Sequence, residues 1–142
     1  MLNNKSQQKI SENFKLYEIL CRCGKCLYSD PNIGIDILIS EVFLDKLQAV
    51  RSDVGRYFTL NCGARCEQHN KDVGGAVNSA HLVTINKPSE AVDISTVKWS
   101  GLDRYKLIRS AYKYNMWGIG IYSNFIHLDS KKSRKSIWYG GY

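Results

Sequence analysis

The chain predicts an α+β fold, an antiparallel sheet with helices packed on one side. Two long segments carry apolar residues at helical spacing, and the C-terminal third reads as short strands of alternating polarity. The first helix runs from about Asp36 to Ser52, with Ile39, Val42, Phe43, Leu47 and Val50 as its apolar positions, and Val54-Gly55 ends it. Tyr57-Phe58-Thr59-Leu60 follows as a strand, Asn61 to Ala64 turn, and a short helix carries Cys66 to Lys71. Val73-Gly74-Gly75-Ala76 is a flexible loop leading to Ser79 and His81. A second long helix spans about Leu102 to Tyr114, with Leu102, Tyr105, Ile108, Ala111 and Tyr112 on one side. Gly118 to Tyr122, Phe125 to Asp129 and Ile137 to Tyr139 close the chain as antiparallel strands.

At 142 residues the chain is the size of one domain and can bury a core without disulfides. Residues 1–12 read as a polar tail and 13–142 as the domain. No internal repeat or low-complexity tract interrupts it. The N-terminus lacks the apolar stretch of a secretory signal, and no segment reaches the ~20 apolar residues of a membrane span. The expectation is a protein made in the cytoplasm, without membrane insertion and monomeric. A formal charge of +7 suits an anionic partner such as nucleic acid, an acidic membrane or cell wall. The basic residues are scattered, apart from Lys131, Lys132, Arg134 and Lys135, which read first as a solvated turn between strands. No ribonucleoprotein signature or recognition helix is present, so nucleic acid is not expected as a partner. Five cysteines, Cys21, Cys23, Cys26, Cys62 and Cys66, do not match zinc-ribbon spacing. They read as reduced thiols, with a structural metal or one disulfide as alternatives, and outside any catalytic site.

Chemistry concentrates on His81, Asp93 and His127. Two imidazoles and a carboxylate suit zinc, and three protein ligands leave a fourth position for water. Strand alternation supports part of this set. With Val92 and Ile94 facing the core, Ala91, Asp93 and Ser95 share the other face. With Ile126 and Leu128 facing the core, so do Phe125, His127 and Asp129. The same alternation points Glu90 away from Asp93. Residues alone leave the ordinary explanations of each histidine open, because a ligand set spread along the chain cannot be read from spacing. His69 reads as an ordinary residue near a helix end.

An ordered series of motifs adds to this reading. Asn13-Phe14-Lys15-Leu16-Tyr17-Glu18 is followed by Cys21-Arg22-Cys23-Gly24 and by Leu47-Gln48-Ala49-Val50-Arg51. Then come Cys62-Gly63-Ala64-Arg65-Cys66-Glu67-Gln68-His69-Asn70, Val73-Gly74-Gly75-Ala76, Ser79-Ala80-His81 and Ala91-Val92-Asp93-Ile94. Gly118-Ile119-Gly120-Ile121-Tyr122 and Phe125-Ile126-His127-Leu128-Asp129 complete it. From Asn13 to Trp138 the order resembles the zinc D-alanyl-D-alanine carboxypeptidase superfamily, of hedgehog/DD-peptidase fold, in its short phage-endolysin and bacterial wall-hydrolase branch.

That resemblance implies one catalytic zinc held by His81, Asp93 and His127, and a metallopeptidase cutting peptidoglycan stem or cross-bridge peptides. It implies that Arg65 meets a substrate carbonyl or carboxylate, for which a planar guanidinium is suited. Ser79 falls where the family has a small polar residue that bonds substrate or a ligand, and Tyr122, Trp117 and Trp138 are candidate cleft walls. A protein of this kind acts at the wall once released, as a phage or prophage lysin does. Two departures stand out. Asp93 lies twelve residues after His81, farther than in the family, with the extra residues in Val83 to Ser89, an expected loop or hairpin beside the cleft. Some relatives carry an acid where this chain has Asn124, which cannot take a proton, and Asp129 is the best remaining carboxylate for a catalytic base. Its other role would be to orient a ligand. The alternative function is a zinc-stabilised binding module of hedgehog type that does not cleave.

Overall fold

The computed structural model describes residues 4–133 and 135–140. Five strands form one sheet in the order β1-β2-β4-β3-β5: β1 Leu60–Cys62, β2 Ala91–Ser95, β3 Gly118–Ile121, β4 Phe125–Asp129 and β5 Ser136–Tyr139. Four helices accompany it: α1 Ile35–Leu38, α2 Glu41–Val54, α3 Glu67–Asp72 and α4 Gly101–Lys113. Val92, Ile94, Ile119, Ile126 and Leu128 project from one sheet face into a single core. Phe43, Leu47 and Val50 of α2 and Leu107 and Ala111 of α4 meet them there, so the long helices cover that face.

The sequence predicts one helix over 36–52, but the chain forms two. Ile39 turns to an extended conformation, and the Ser40 amide donates to Ser89 O instead of continuing the helix. The Ser40 side chain then accepts from Phe43 N and caps α2. Gly55, left-handed at φ 73°, ends α2 where expected. The strand expected over 57–60 begins at Leu60. Helix α4 lies where expected but buries a different stripe. Leu107, Ser110 and Ala111 face inward, while Leu102, Tyr105 and Tyr112 are exposed. The closing strands are not all antiparallel, because β5 pairs with β3 in parallel, Gly120 opposite Trp138. Residues 4–12 fold back on the body. Leu16 N donates to Gln8 O, Ser11 Oγ to Gln48 Oε1, and Ile10 packs against the core. Among the described residues, no helix is long and apolar enough to cross a membrane.

Phe43 is fully buried at the centre of the α2 interface. Phe43→Ala should cost about 3–5 kcal/mol of unfolding free energy, read as a lowered urea midpoint with the slope unchanged.

Candidate functional site

Strands β2 and β4 pair in antiparallel register with Asp93 directly opposite His127. The apolar neighbours of both residues, Val92, Ile94, Ile126 and Leu128, are fully buried on the helix side. Alternation therefore directs Asp93 and His127 to the other face. His81 arrives from the loop ahead of β2, held by backbone bonds from Arg65 N to His81 O and from Glu90 N to Ala80 O.

Three atoms meet at the centre. His81 Nε2 lies 3.1 Å from Asp93 Oδ1 and 3.2 Å from His127 Nδ1, and the last two are 3.0 Å apart. The far side of each ring is committed. His81 Nδ1 donates to Gly63 O at 2.7 Å, and His127 Nε2 donates to Asp129 Oδ2 at 2.7 Å. With the outer nitrogens committed to carbonyl and carboxylate partners, both imidazoles direct their inner nitrogens toward Asp93, where a cation, proton or metal, can be held. A tetrahedral zinc with bonds near 2.0–2.1 Å separates its ligand atoms by about 3.3 Å, close to this triangle. The donor set fits the ion.

Electrostatics point the same way. Burial alone would push the His81 imidazole down, but the Asp93 carboxylate more than offsets it and raises the group to about 10. Burial opposes ionisation of Asp93 too, yet the two imidazoles hold its carboxyl well below the usual carboxylate range. The centre favours a cation. Its access is asymmetric: the His81 side chain is 2% exposed, while Asp93 and His127 keep 16% and 10%.

Arg65 stands beside His81 through their backbone pairing, closed from the other side by Val83 N donating to Arg65 O. Its Nη2 donates to Ser79 Oγ at 3.0 Å, and the same oxygen accepts from His81 N at 3.2 Å. Arg65 Nε is buried without a partner among the described residues, so an acceptor there would complete its fork. Trp138 lies 5.3 Å from the His127 ring and donates from Nε1 to Tyr122 Oη at 3.2 Å, while Tyr122 stacks on Phe125 at 4.2 Å. Tyr122 and Trp138 therefore border the His127 side. Trp117 does not; it lines a separate cavity of about 490 Å³ with Met116, Ile119 and Ile137, and none of the three central residues reaches it.

Asp129 is not beside the open face of the triangle. It is fully buried behind the His127 ring, its Oδ1 accepting from Lys131 N and its Oδ2 from His127 Nε2. Gly118 lies opposite it on β3, and a Cβ there would collide with the carboxylate. Asn124 is exposed in the β3–β4 turn, with its carbonyl accepting from Thr96 N. Glu90 accepts from Ser130 Oγ and is not among the three. The residues of Val83 to Ser89 form a hairpin closed by Thr84 and Lys87, beginning at the Arg65 backbone. In the basic run, Lys131 donates to Asn78 O and Lys135 lies over Trp117; Arg134 is outside the described residues.

One neighbour corrects the reading of the cysteines. Cys62, opposite Asp93 in the β1–β2 register, places Sγ 3.6 Å from His81 Nδ1. Cys62, His81 and Asp93 also come close enough to share an ion. Because His81 Nδ1 is already bonded to Gly63 O, the set with His127 has the better-directed donors. The signal for Cys62 was its place at the end of β1, visible only once β1 is paired with β2.

No curated protein matches the chain. The family model described as Peptidase M15 matches residues 12–129, from the folded-back N-terminal segment through the last residue of β4. The match spans every residue of the triangle together with Arg65, Ser79 and Asp129, and the chain belongs to the Peptidase M15 family.

Proposed function

We propose that the chain is a zinc metallopeptidase that hydrolyses a peptide bond in peptidoglycan stem or cross-bridge peptides. The observation that carries this reading is the triangle of His81 Nε2, Asp93 Oδ1 and His127 Nδ1, with edges of 3.0–3.2 Å. These three residues would hold the metal. Bound there, zinc would supply Lewis acidity for a peptide carbonyl and for water near neutral pH.

The chain's own residues prepare the rest. Gly63 O and Asp129 lock the two imidazoles by their outer nitrogens, so neither ring must reorganise when substrate arrives. Arg65, steadied by Ser79, offers its buried Nε to a peptide carbonyl or carboxylate. Tyr122 and Trp138 form an aromatic wall on the His127 side, against which a peptide side chain can pack. Asp129 is a positioning residue in this account rather than the base, because the His127 ring stands between it and the ligand atoms. The excess of Lys and Arg suits a wall polymer rich in carboxylates. A lysin released to the wall is the setting we infer, with residues 13–142 as the catalytic domain.

A binding module that does not cleave is the second reading. It is favoured by Asn124 at the position of an acid and by the burial of Asp129. Mass spectrometry of purified peptidoglycan incubated with the zinc-loaded protein, with and without a chelator, separates the two. New stem-peptide fragments that vanish with chelator are expected, and their masses identify the bond. An unchanged wall would sink the peptidase and leave the binding module.

A further inference from the structure

Four of the five cysteines gather far from any use in the catalytic reading. The Sγ atoms of Cys21, Cys23, Cys26 and Cys66 all lie within 4.8 Å of one another, and all four are free thiols. A single disulfide joins two sulfurs at about 2.0 Å and leaves others unaccounted for. A tetrahedral metal with bonds near 2.3 Å instead gathers four sulfurs about 3.8 Å apart. We propose that this cluster is a second, structural metal site, taking zinc or a similar thiophilic divalent cation through four thiolates.

Three further observations fit a site built around these four sulfurs. Backbone amides aim at the sulfurs, Cys66 N at Cys21 Sγ (3.4 Å) and His69 N at Cys66 Sγ (3.3 Å). Contacts of this kind orient ligands and spread thiolate charge. Ser29 Oγ, which gives its one proton to Cys21 O at 2.8 Å and lies 3.4 Å from both Cys23 Sγ and Cys26 Sγ, ties the loop that gathers the three cysteines. Between Cys23 and Cys26 the chain reverses through Gly24 at φ 74°, a left-handed turn that brings both side chains to the same point. The donors also span the fold. Three come from the N-terminal loop and the fourth adjoins Arg65, so the metal staples that loop to the segment carrying Arg65. Ala64 N donating to Ile19 O runs alongside the staple. Each thiol gives up its proton to solvent on binding.

This site does not depend on the peptidase reading, and cobalt distinguishes the two centres. The full chain, purified under reductant and stripped of metal, is titrated with cobalt(II). A thiolate-to-cobalt charge-transfer band is expected, retained in His81→Ala and lost in the Cys23→Ser/Cys26→Ser double variant. Zinc content should fall by one equivalent per chain in the double variant. Should that variant fail to fold, alkylation of the wild-type chain serves instead. Half-exposed Cys23 and Cys26 should react slowly with zinc and rapidly once a chelator is added. Absence of the charge-transfer band, together with alkylation indifferent to chelator, would overturn the site. So would a Cys23–Cys26 disulfide in protein kept reduced.

Discussion

His81→Ala is expected to abolish hydrolysis and to release the metal of the histidine–aspartate centre in the same step. His81 supplies one corner of a triangle whose edges are 3.0–3.2 Å, and two remaining donors hold zinc poorly. Loss of Lewis-acid stabilisation worth several kcal/mol should lower kcat/KM by about 10³-fold or more. Metal analysis beside the assay checks the link, and His69→Ala, at a histidine outside the triangle, should retain both activity and metal. Loss of activity with no metal lost relative to the wild-type chain would mean that His81 acts otherwise than as a ligand. The same residue sets a pH dependence. Asp93 raises the His81 imidazole to about 10, so a proton competes with the ion for Nε2. Zinc affinity should therefore rise with pH across the neutral range, and calorimetry in buffers of different ionisation enthalpy should show proton release on binding.

Asp129→Asn should weaken zinc binding by about 10–100-fold and lower activity with it, the usual cost of losing a partner that orients a metal-bound histidine. The carboxylate is fully buried and accepts the 2.7 Å bond from His127 Nε2. Asparagine can accept the same proton, but without charge, so the bond that fixes the tautomer of the ring weakens. Competition with a chromogenic chelator measures the affinity. A catalytic base would behave differently, with zinc affinity unchanged and kcat alone collapsing. That outcome would return Asp129 to the role its place on the strand first implied.

Much of this arrangement is written in short-range pattern. Alternation in Ala91–Ser95 and Phe125–Asp129 put Asp93 and His127 on the non-core face, because each is flanked by Val, Ile or Leu that must be buried. Register is another matter, and the direct pairing of Asp93 with His127 depends on a β2–β4 contact between residues far apart in sequence. Helix ends followed from Gly55, whereas the break at Ile39–Ser40 did not, since its cause is a bond to Ser89 on a distant loop. The face of α4 was misjudged because Tyr105 and Tyr112 are large enough to read as core yet lie on its outer side. Cys62 and the burial of Asp129 were hidden for the same reason: each depends on which strand lies beside which. The four-cysteine cluster joins Cys66 to residues some forty positions earlier, a distance that no local spacing rule covers.

The strand order also governs when this chain can act. β3 and β4 are joined by a tight turn and can pair early, but that hairpin carries only His127 of the triangle. Asp93 joins when β2 docks across the long excursion through α4, and non-local pairing of that sort is slow because loop closure precedes any contact that rewards it. A nascent or half-folded chain accordingly has no assembled centre. The proposed centre is therefore complete only once the sheet is complete, because β2 and β4 each carry one of its corners.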